Sequence, residues 1–175
     1  MDPIVPTGNL APQFQLPDLQ GNNHSLNDMQ GRIVVLTFWS AECTWCERVD
    51  RALMPYLDRW KESVAIWWIA SNANESRLFI EQVAAERDLP VVLMDRYQVV
   101  ADLYGAETTP HFFIVDKLGK LAYQGAWDDV TFRQRVANRV YVPKVIKALL
   151  ENHVPSIGET PPYGCVLVRS FEPDS

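Results

Sequence analysis

Cysteine is scarce in this sequence: three residues among 175 are too few for a fold held together by disulfides. A chain of this length does not need them, because it can bury one sizeable hydrophobic core. Basic residues are also in the minority, since 16 Lys and Arg against 22 Asp and Glu give a net charge of −6. A surface of this charge repels phosphate backbones on average, so we expect no nucleic-acid partner.

Long apolar runs are absent as well. The longest strongly apolar stretch, Ile33 to Trp39, is far shorter than the ~20 residues of a membrane-spanning helix, so we expect no membrane span in this chain. Met1 to Gln15 contain Asp2 and three prolines where a signal peptide has basic and then apolar residues. Removal of a leader before Met1 would leave the same sequence, so these residues do not decide the compartment.

The chain is predicted to form a single domain over 1–175 with three parts, and we expect a monomer. The arm, 1–30, is rich in proline and carries a polar turn at Gly21 to Asn23, which is typical of an irregular segment with a short hairpin. The core covers 31–152. The tail, 153–175, shows no regular period and is expected to be irregular.

Strands and helices alternate in the core, which implies βαβ units on a parallel sheet with helices on its faces. A late hairpin adds antiparallel strands, so the predicted fold is α/β with a central mixed β-sheet flanked by helices. Predicted strands are 32–38, 64–70, 91–94, 111–115 and 121–124; predicted helices are 44–61, 75–87, 98–104 and 131–152, the last interrupted near Pro143.

Two of the three cysteines stand close together, in the run Cys43-Thr44-Trp45-Cys46. The pair follows a predicted buried strand and opens a predicted helix, where unpaired backbone N–H groups and the helix dipole lower the pKa of the first thiol. The thiolate is the nucleophile in disulfide exchange, and a second cysteine one turn later can close a disulfide with it. The residues therefore predict a redox pair in which Cys43 attacks and Cys46 resolves.

The run from Thr37 to Cys46 resembles the thioredoxin superfamily, in which a strand and an aromatic pair precede C-x-x-C at a helix start. The segment from Tyr104 to Pro110, before the hairpin, looks like the second landmark of that family, a cis-proline loop. The resemblance implies a thioredoxin-like fold and a cis Pro110 that faces the cysteines. It also implies that the backbone of Thr109 pairs with an incoming peptide.

Two tryptophans, Trp39 and Trp45, bracket the cysteines. We predict that they add apolar surface to a substrate groove formed with Thr109 and Pro110, while packing inside the core is the alternative for either ring.

Gly8 to Phe14 and Leu26 to Gly31 look like the TlpA/redoxin branch of the superfamily, which is related to the AhpC/TSA proteins. This resemblance implies a thiol:disulfide oxidoreductase that acts on protein disulfides or dithiols, needs an upstream thiol reductant and uses no dissociable cofactor. It also implies an extracytoplasmic location if a leader has been removed, and a cytoplasmic one otherwise. The direction of the redox reaction stays open, because Thr44-Trp45 is neither of the familiar dipeptides of the motif.

The buried acid of many family members is missing, since its two usual positions hold Thr37 and Val49. Glu42, Glu47 and Asp50 are the acids nearby. We expect them to be solvated charges near the helix end, because acids are mostly exposed, although any of them is a candidate substitute for the proton relay.

The third cysteine, Cys165, lies in the tail, and its Gly164-Cys165 dipeptide is similar to an ending of some redoxin-like proteins. It is a candidate third redox cysteine, although a lone tail cysteine is more often an inert thiol.

Two other functions compete with disulfide exchange. A thiol peroxidase is one alternative, although Ser40 stands where the peroxiredoxin pattern has threonine. A copper-binding assembly factor is the other, because Cys43, Cys46 and His111 would offer two thiolates and an imidazole. A zinc site is not expected, and no metal is assigned, because no second cysteine pair or finger-like histidine spacing is present.

Overall fold

The computed structural model describes residues 4–170; the first three residues of the predicted arm and the last five of the predicted tail lie outside it. Its elements follow the predicted order of strands and helices. The strands are β1 (Gln15–Pro17), β2 (Asn23–Ser25), β3 (Ile33–Trp39), β4 (Val64–Ala70), β5 (Val92–Met94), β6 (Thr108–Thr109), β7 (His111–Val115), β8 (Leu121–Gly125) and β9 (Cys165–Val166); the α-helices are α1 (Thr44–Trp60), α2 (Arg77–Glu86), α3 (Val99–Tyr104) and α4 (Val142–Leu150), with a 3₁₀ turn at Leu26–Met29.

Five strands form the central sheet in the order β5-β4-β3-β7-β8. Strands β3, β4 and β5 are parallel, whereas β7 and β8 run antiparallel as a hairpin on the other side of β3. This is the mixed sheet that the sequence predicts.

Strand β3 lies at the middle of the sheet because all seven of its residues are apolar or small enough to be buried on both faces. Ile33 and Val35 face the core formed with α1, α2 and α4, whereas Val34 and Leu36 face the core formed with α3 and the N-terminal arm. The strand therefore ends, at Trp39, between two helical layers, and the loop that carries the cysteines begins there.

The predicted helix over 131–152 is wrong in its first half, since α4 covers Val142–Leu150 alone. Pro143 lies in the first turn of α4, where its missing N–H costs no helical hydrogen bond. The preceding segment folds back instead, because the amides of Tyr141 and Val142 both donate to the carbonyl of Trp127. Pro143 therefore marks the start of the helix and not an interruption.

Two small sheets lie outside the central one. Strands β1 and β2 form the short hairpin that the polar turn of the arm predicts. Strand β9, in the tail, pairs antiparallel with β6, just before Pro110. The tail was expected to be irregular, and this pairing was not predicted. Among the described residues, no helix has both the length and the apolar character that crossing a membrane requires.

Candidate active site

Cys43 and Cys46 lie where β3 passes into α1. Cys43 is the N-cap residue of the helix, in an extended conformation, and Cys46 lies in its first turn. Both side chains are buried in the core between the sheet and α1. The helix N-terminus therefore directs its free backbone N–H groups toward the region of the Cys43 sulfur.

Cys43 is joined to Cys165 in a disulfide, with the two Cα atoms 6.2 Å apart across 122 residues of sequence. Cys46 is the free cysteine of the chain. Cys165 is therefore not a free thiol in this structure, and its role as a third redox cysteine stays a prediction. The predicted disulfide partner of Cys43 is Cys46, one turn away in α1, but in this structure Cys43 is bonded to Cys165 of the tail.

The cis-proline loop lies against this disulfide. The Thr109–Pro110 peptide bond is cis, as the family resemblance implies. The carbonyl oxygen of Thr109 is 3.1 Å from the Cys43 sulfur, and Thr109 stands opposite Cys165 in the β6–β9 pair. The loop, the helix N-terminus and the tail strand thus meet at one sulfur.

Cys46 has an environment that favours the neutral thiol. Burial raises its pKa well above the usual range, and the negative charge of Asp50 adds to this rise. Hydrogen bonding to the Ser40 backbone and the positive charge of Arg87 offset a part of it. In the state with Cys43 bonded to Cys165, Cys46 is therefore a thiol at neutral pH and a weak nucleophile.

A thiolate titration checks this directly. In the oxidised protein, ultraviolet absorbance of wild type minus that of Cys46→Ser should show less than about one tenth of Cys46 ionised at about pH 9.5, where an ordinary thiol is about nine-tenths ionised. The same titration of unfolded protein is the control and should show the ordinary value. A thiolate step near pH 8.5 in the folded protein would contradict the raised pKa.

Asp50 is buried, and the expectation that it is a solvated charge is wrong. Its carboxylate accepts hydrogen bonds from the indole Nε1 of Trp39 and of Trp68, both at 2.9 Å, and from Arg87 at 3.0 Å. Burial raises its pKa, against the lowering effect of these three donors. The signal in the sequence is spacing, because Asp50 follows Cys46 by four residues and so shares its inward helix face.

The other two acids behave differently. Glu42 is exposed, as expected, and Glu47 is partly exposed and pairs with Arg51 one turn later on the surface of α1. Neither is part of the buried network around the cysteines among the described contacts.

Glu75 holds the loop that precedes Cys43, a role that sequence analysis missed. One of its carboxylate oxygens accepts hydrogen bonds from the Ser40 hydroxyl at 3.2 Å and from the Glu42 amide at 2.8 Å. Burial raises the pKa of Glu75, and the bond from Glu42 offsets part of the rise. The sequence pattern placed Glu75 inside the predicted helix over 75–87, whereas α2 begins two residues later and Glu75 lies before it.

The two tryptophans of the predicted groove differ in exposure and in their contacts. Trp39 is fully buried and bonded to Asp50, so the prediction that it offers surface to a substrate is wrong. Trp45 is partly exposed and meets the ring of Tyr163 edge-on, with ring centroids 4.9 Å apart. Tyr163 belongs to the tail, two residues before Cys165.

His111 does not complete a metal site. It is buried at the start of β7, where its Nδ1 accepts a hydrogen bond from the Glu107 amide at 3.2 Å. Burial lowers its pKa to about 3, so the ring is neutral. Within residues 4–170, no three His, Cys, Asp or Glu side chains form a group that could hold a metal ion, so Cys43, Cys46 and His111 are not assembled as the copper alternative requires.

Comparison with known proteins places this site in a family. The model of the AhpC/TSA family matches residues 7–124, which include both cysteines of the pair and Pro110 but not Cys165. A protein of Geobacillus thermodenitrificans named thiol-disulfide oxidoreductase ResA is 38% identical over 124 residues, 67% of each chain. The protein of the same name from Bacillus anthracis is 32% identical over 122 residues, covering 67% of this chain and 68% of its own.

Solved structures extend the likeness to the tail. An uncharacterised conserved protein from Geobacillus kaustophilus has a TM-score of 0.87 and 27% identity, covering 97% of this chain and 94% of its own. The thioredoxin domain of a thiol-disulfide oxidoreductase from Bacteroides vulgatus shares the fold, with a TM-score of 0.65 and 24% identity over 83% of this chain and 99% of its own. With a family model that spans more than half of its length and relatives of this identity, the chain is an oxidoreductase of the AhpC/TSA family, within the thioredoxin superfamily.

Proposed function

We propose that the protein exchanges thiols and disulfides with protein substrates, with Cys43 as the attacking and Cys46 as the resolving cysteine. The observation that carries the proposal is the state of Cys43, which holds a disulfide at the N-terminus of α1, beside a cis-proline loop, while Cys46 lies free one turn along. The names of the curated relatives support the same reaction class.

The first step uses the helix N-terminus. The thiolate of Cys43, which the free N–H groups and the dipole of α1 stabilise, attacks one sulfur of a substrate disulfide. A bond forms between Cys43 and that sulfur, the substrate disulfide breaks, and the other substrate sulfur leaves as a thiolate and takes up a proton. The product is a mixed disulfide at the position that Cys165 occupies in this structure.

The second step releases the substrate. Cys46 loses its proton and attacks the Cys43 sulfur, so a Cys43–Cys46 disulfide forms and the second substrate sulfur leaves as a thiolate. The substrate has gained two electrons and the protein has lost two. An upstream thiol reductant then returns the pair to the dithiol form.

Asp50 is the acid that we propose to take the proton of Cys46. Its charge acts on the Cys46 thiol, and it lies four residues further along the same helix. Since burial raises the pKa of Asp50 as well as that of Cys46, the carboxylate is a stronger base than an ordinary aspartate.

Insulin reduction is the test, with a small dithiol as the electron source. We expect the protein to accelerate reduction of the insulin disulfides. We expect it to consume hydroperoxide no faster than an ordinary thiol, because Ser40 stands where the peroxiredoxin pattern has threonine. Hydroperoxide consumption faster than insulin reduction would overturn the proposal in favour of a thiol peroxidase. The unfolded protein is the control for the intrinsic reactivity of its thiols.

A further inference from the structure

The tail contacts three parts of the predicted substrate groove. Cys165 is bonded to Cys43, and its backbone stands opposite Thr109 in an antiparallel pair. Tyr163 packs edge-on against Trp45. One short segment of the same chain therefore occupies the nucleophile Cys43, the backbone edge of Thr109 and the aromatic surface of Trp45.

Gly164 shows that this fit depends on one residue type. A Cβ atom built there would lie 2.1 Å from the carbonyl oxygen of Thr109 and 3.0 Å from the ring of Pro110. No other amino acid can sit at this position without moving the tail or the loop, since the first of these atoms belongs to the backbone. The tail thus approaches the cis-proline loop as closely as its backbone allows.

The segment is held on both sides of Cys165. Before it, Thr160 donates its amide to the carbonyl of Gln124 at 3.0 Å. After it, Leu167 is buried and donates its amide to the carbonyl of Glu107 at 3.1 Å, and Val168 donates to the Asn72 side chain at 2.9 Å. These contacts do not involve sulfur, so they keep the segment at the groove when the disulfide opens.

We propose that the segment from Tyr163 to Val166 is an internal substrate strand and that Cys165 is a third redox-active cysteine. The inference rests on the proposed function, because it gives Cys165 the position of a substrate sulfur in the mixed disulfide. The Cys43–Cys165 disulfide is the resting oxidised state. The tail and an external peptide compete for the same edge of Thr109 and for the same sulfur.

The resting disulfide opens by rearrangement. Cys46 loses a proton and attacks the Cys43 sulfur, a Cys43–Cys46 bond forms, and the Cys43–Cys165 bond breaks. The electron pair stays on Cys165, which leaves as a thiolate and takes up a proton. No electrons enter or leave the protein, so the two disulfides are isomers in equilibrium, and whatever loosens the tail shifts that equilibrium toward Cys43–Cys46.

The substitution Gly164→Ala tests this without touching a cysteine. Protein oxidised in air is alkylated in acid and its disulfides are mapped by mass spectrometry, and insulin reduction is measured in parallel. We expect wild type to contain mainly Cys43–Cys165 and Gly164→Ala mainly Cys43–Cys46. Reduction of insulin should rise at least about threefold, because a larger fraction of molecules has an open groove.

The matched control is Gly158→Ala, the same change in the same tail. There the three atoms nearest to the added Cβ all belong to the side chain of Thr7, the first at 3.2 Å, so the disulfide map and the activity should stay those of wild type. Cys165→Ser is a second variant, which should form Cys43–Cys46 quantitatively and match the activity of Gly164→Ala.

The outcomes separate this inference from the proposed function. Wild type with Cys43–Cys46 alone, or a fall in insulin reduction in Gly164→Ala and Cys165→Ser, overturns the internal substrate strand and leaves disulfide exchange standing. Absence of insulin reduction in all variants, with Cys43–Cys165 still mapped in wild type, overturns the proposed function and with it the competition.

Discussion

Replacing Cys43 with serine should lower the rate of insulin reduction by at least about a thousandfold, to that of the small dithiol alone, because the nucleophile of the first step is lost. Cys46→Ser should act differently. Its Cys43 can still attack, so a mixed disulfide with substrate forms and its release is impaired. Turnover measured with insulin, and covalent complexes counted on non-reducing gels, distinguish the two variants.

We expect Cys165 to determine how long that complex persists. In Cys46→Ser, the Cys165 thiolate can attack the Cys43 sulfur and release the substrate, since the structure shows that this bond forms. The double variant Cys46→Ser/Cys165→Ser lacks both resolving thiols, and we expect its covalent complex to accumulate to a higher level than that of Cys46→Ser. Full insulin reduction by Cys43→Ser, or equal trapping in the single and double variants, would contradict these roles.

Local patterns made the first half of the site predictable. The apolar run of β3 and the C-x-x-C at the start of α1 are each short stretches whose chemistry lies in adjacent residues. The cis-Pro110 loop before the hairpin was expected from the resemblance to the thioredoxin superfamily. A strand that is buried on both faces is recognised by a continuous run of apolar residues. The start of a helix is recognised by the residues of its first turn. The mixed sheet follows from the order of these elements.

The tail was not predictable in the same way. Spacing along the sequence does not determine which cysteines pair, and Cys43 and Cys165 are 122 residues apart. Strand β9 has only two residues, too few for an alternating pattern to appear in the sequence. Nothing in the sequence distinguishes Gly164 from other glycines of the tail, because its contact with the backbone of Thr109 exists only in the folded protein. Pairing of this kind depends on the folded shape of the whole domain.

The buried position of Asp50 was also not predictable, because the residues that surround it are distant in the sequence. Its three donors come from three elements or their ends: Trp39 from β3, Trp68 from β4 and Arg87 after α2. None is a helix neighbour of Asp50. Acidic residues are mostly exposed, but Asp50 is buried because the fold brings several hydrogen-bond donors to its carboxylate. The network also joins the end of β3 to α1 directly behind the cysteine loop.

Replacing Asp50 with alanine should lower the free energy of unfolding by about 3–5 kcal/mol, because three donors lose their acceptor and Arg87 loses the partner of a largely buried ion pair. Asp50→Asn keeps one acceptor oxygen and should cost less, about 2–3 kcal/mol. Urea unfolding at neutral pH measures both. Glu47→Gln, on the exposed side of α1, is the control and should change stability by less than about 0.5 kcal/mol.

The pH dependence of the stability of Asp50→Asn tests the direction in which the fold shifts the pKa of Asp50. Since the pKa of Asp50 is raised in the folded protein above its ordinary 3.8, the folded state binds the proton more tightly than the unfolded state does. The additional stability that comes from this tighter proton binding is therefore fully present below 3.8 and is lost as the pH rises through the folded-state pKa. The advantage of wild type over Asp50→Asn should shrink across that interval and stay constant above it. An advantage that grew with pH would mean that the three donors outweigh burial and that the folded protein prefers the carboxylate, which would make Asp50 a poor acceptor for the proton of Cys46.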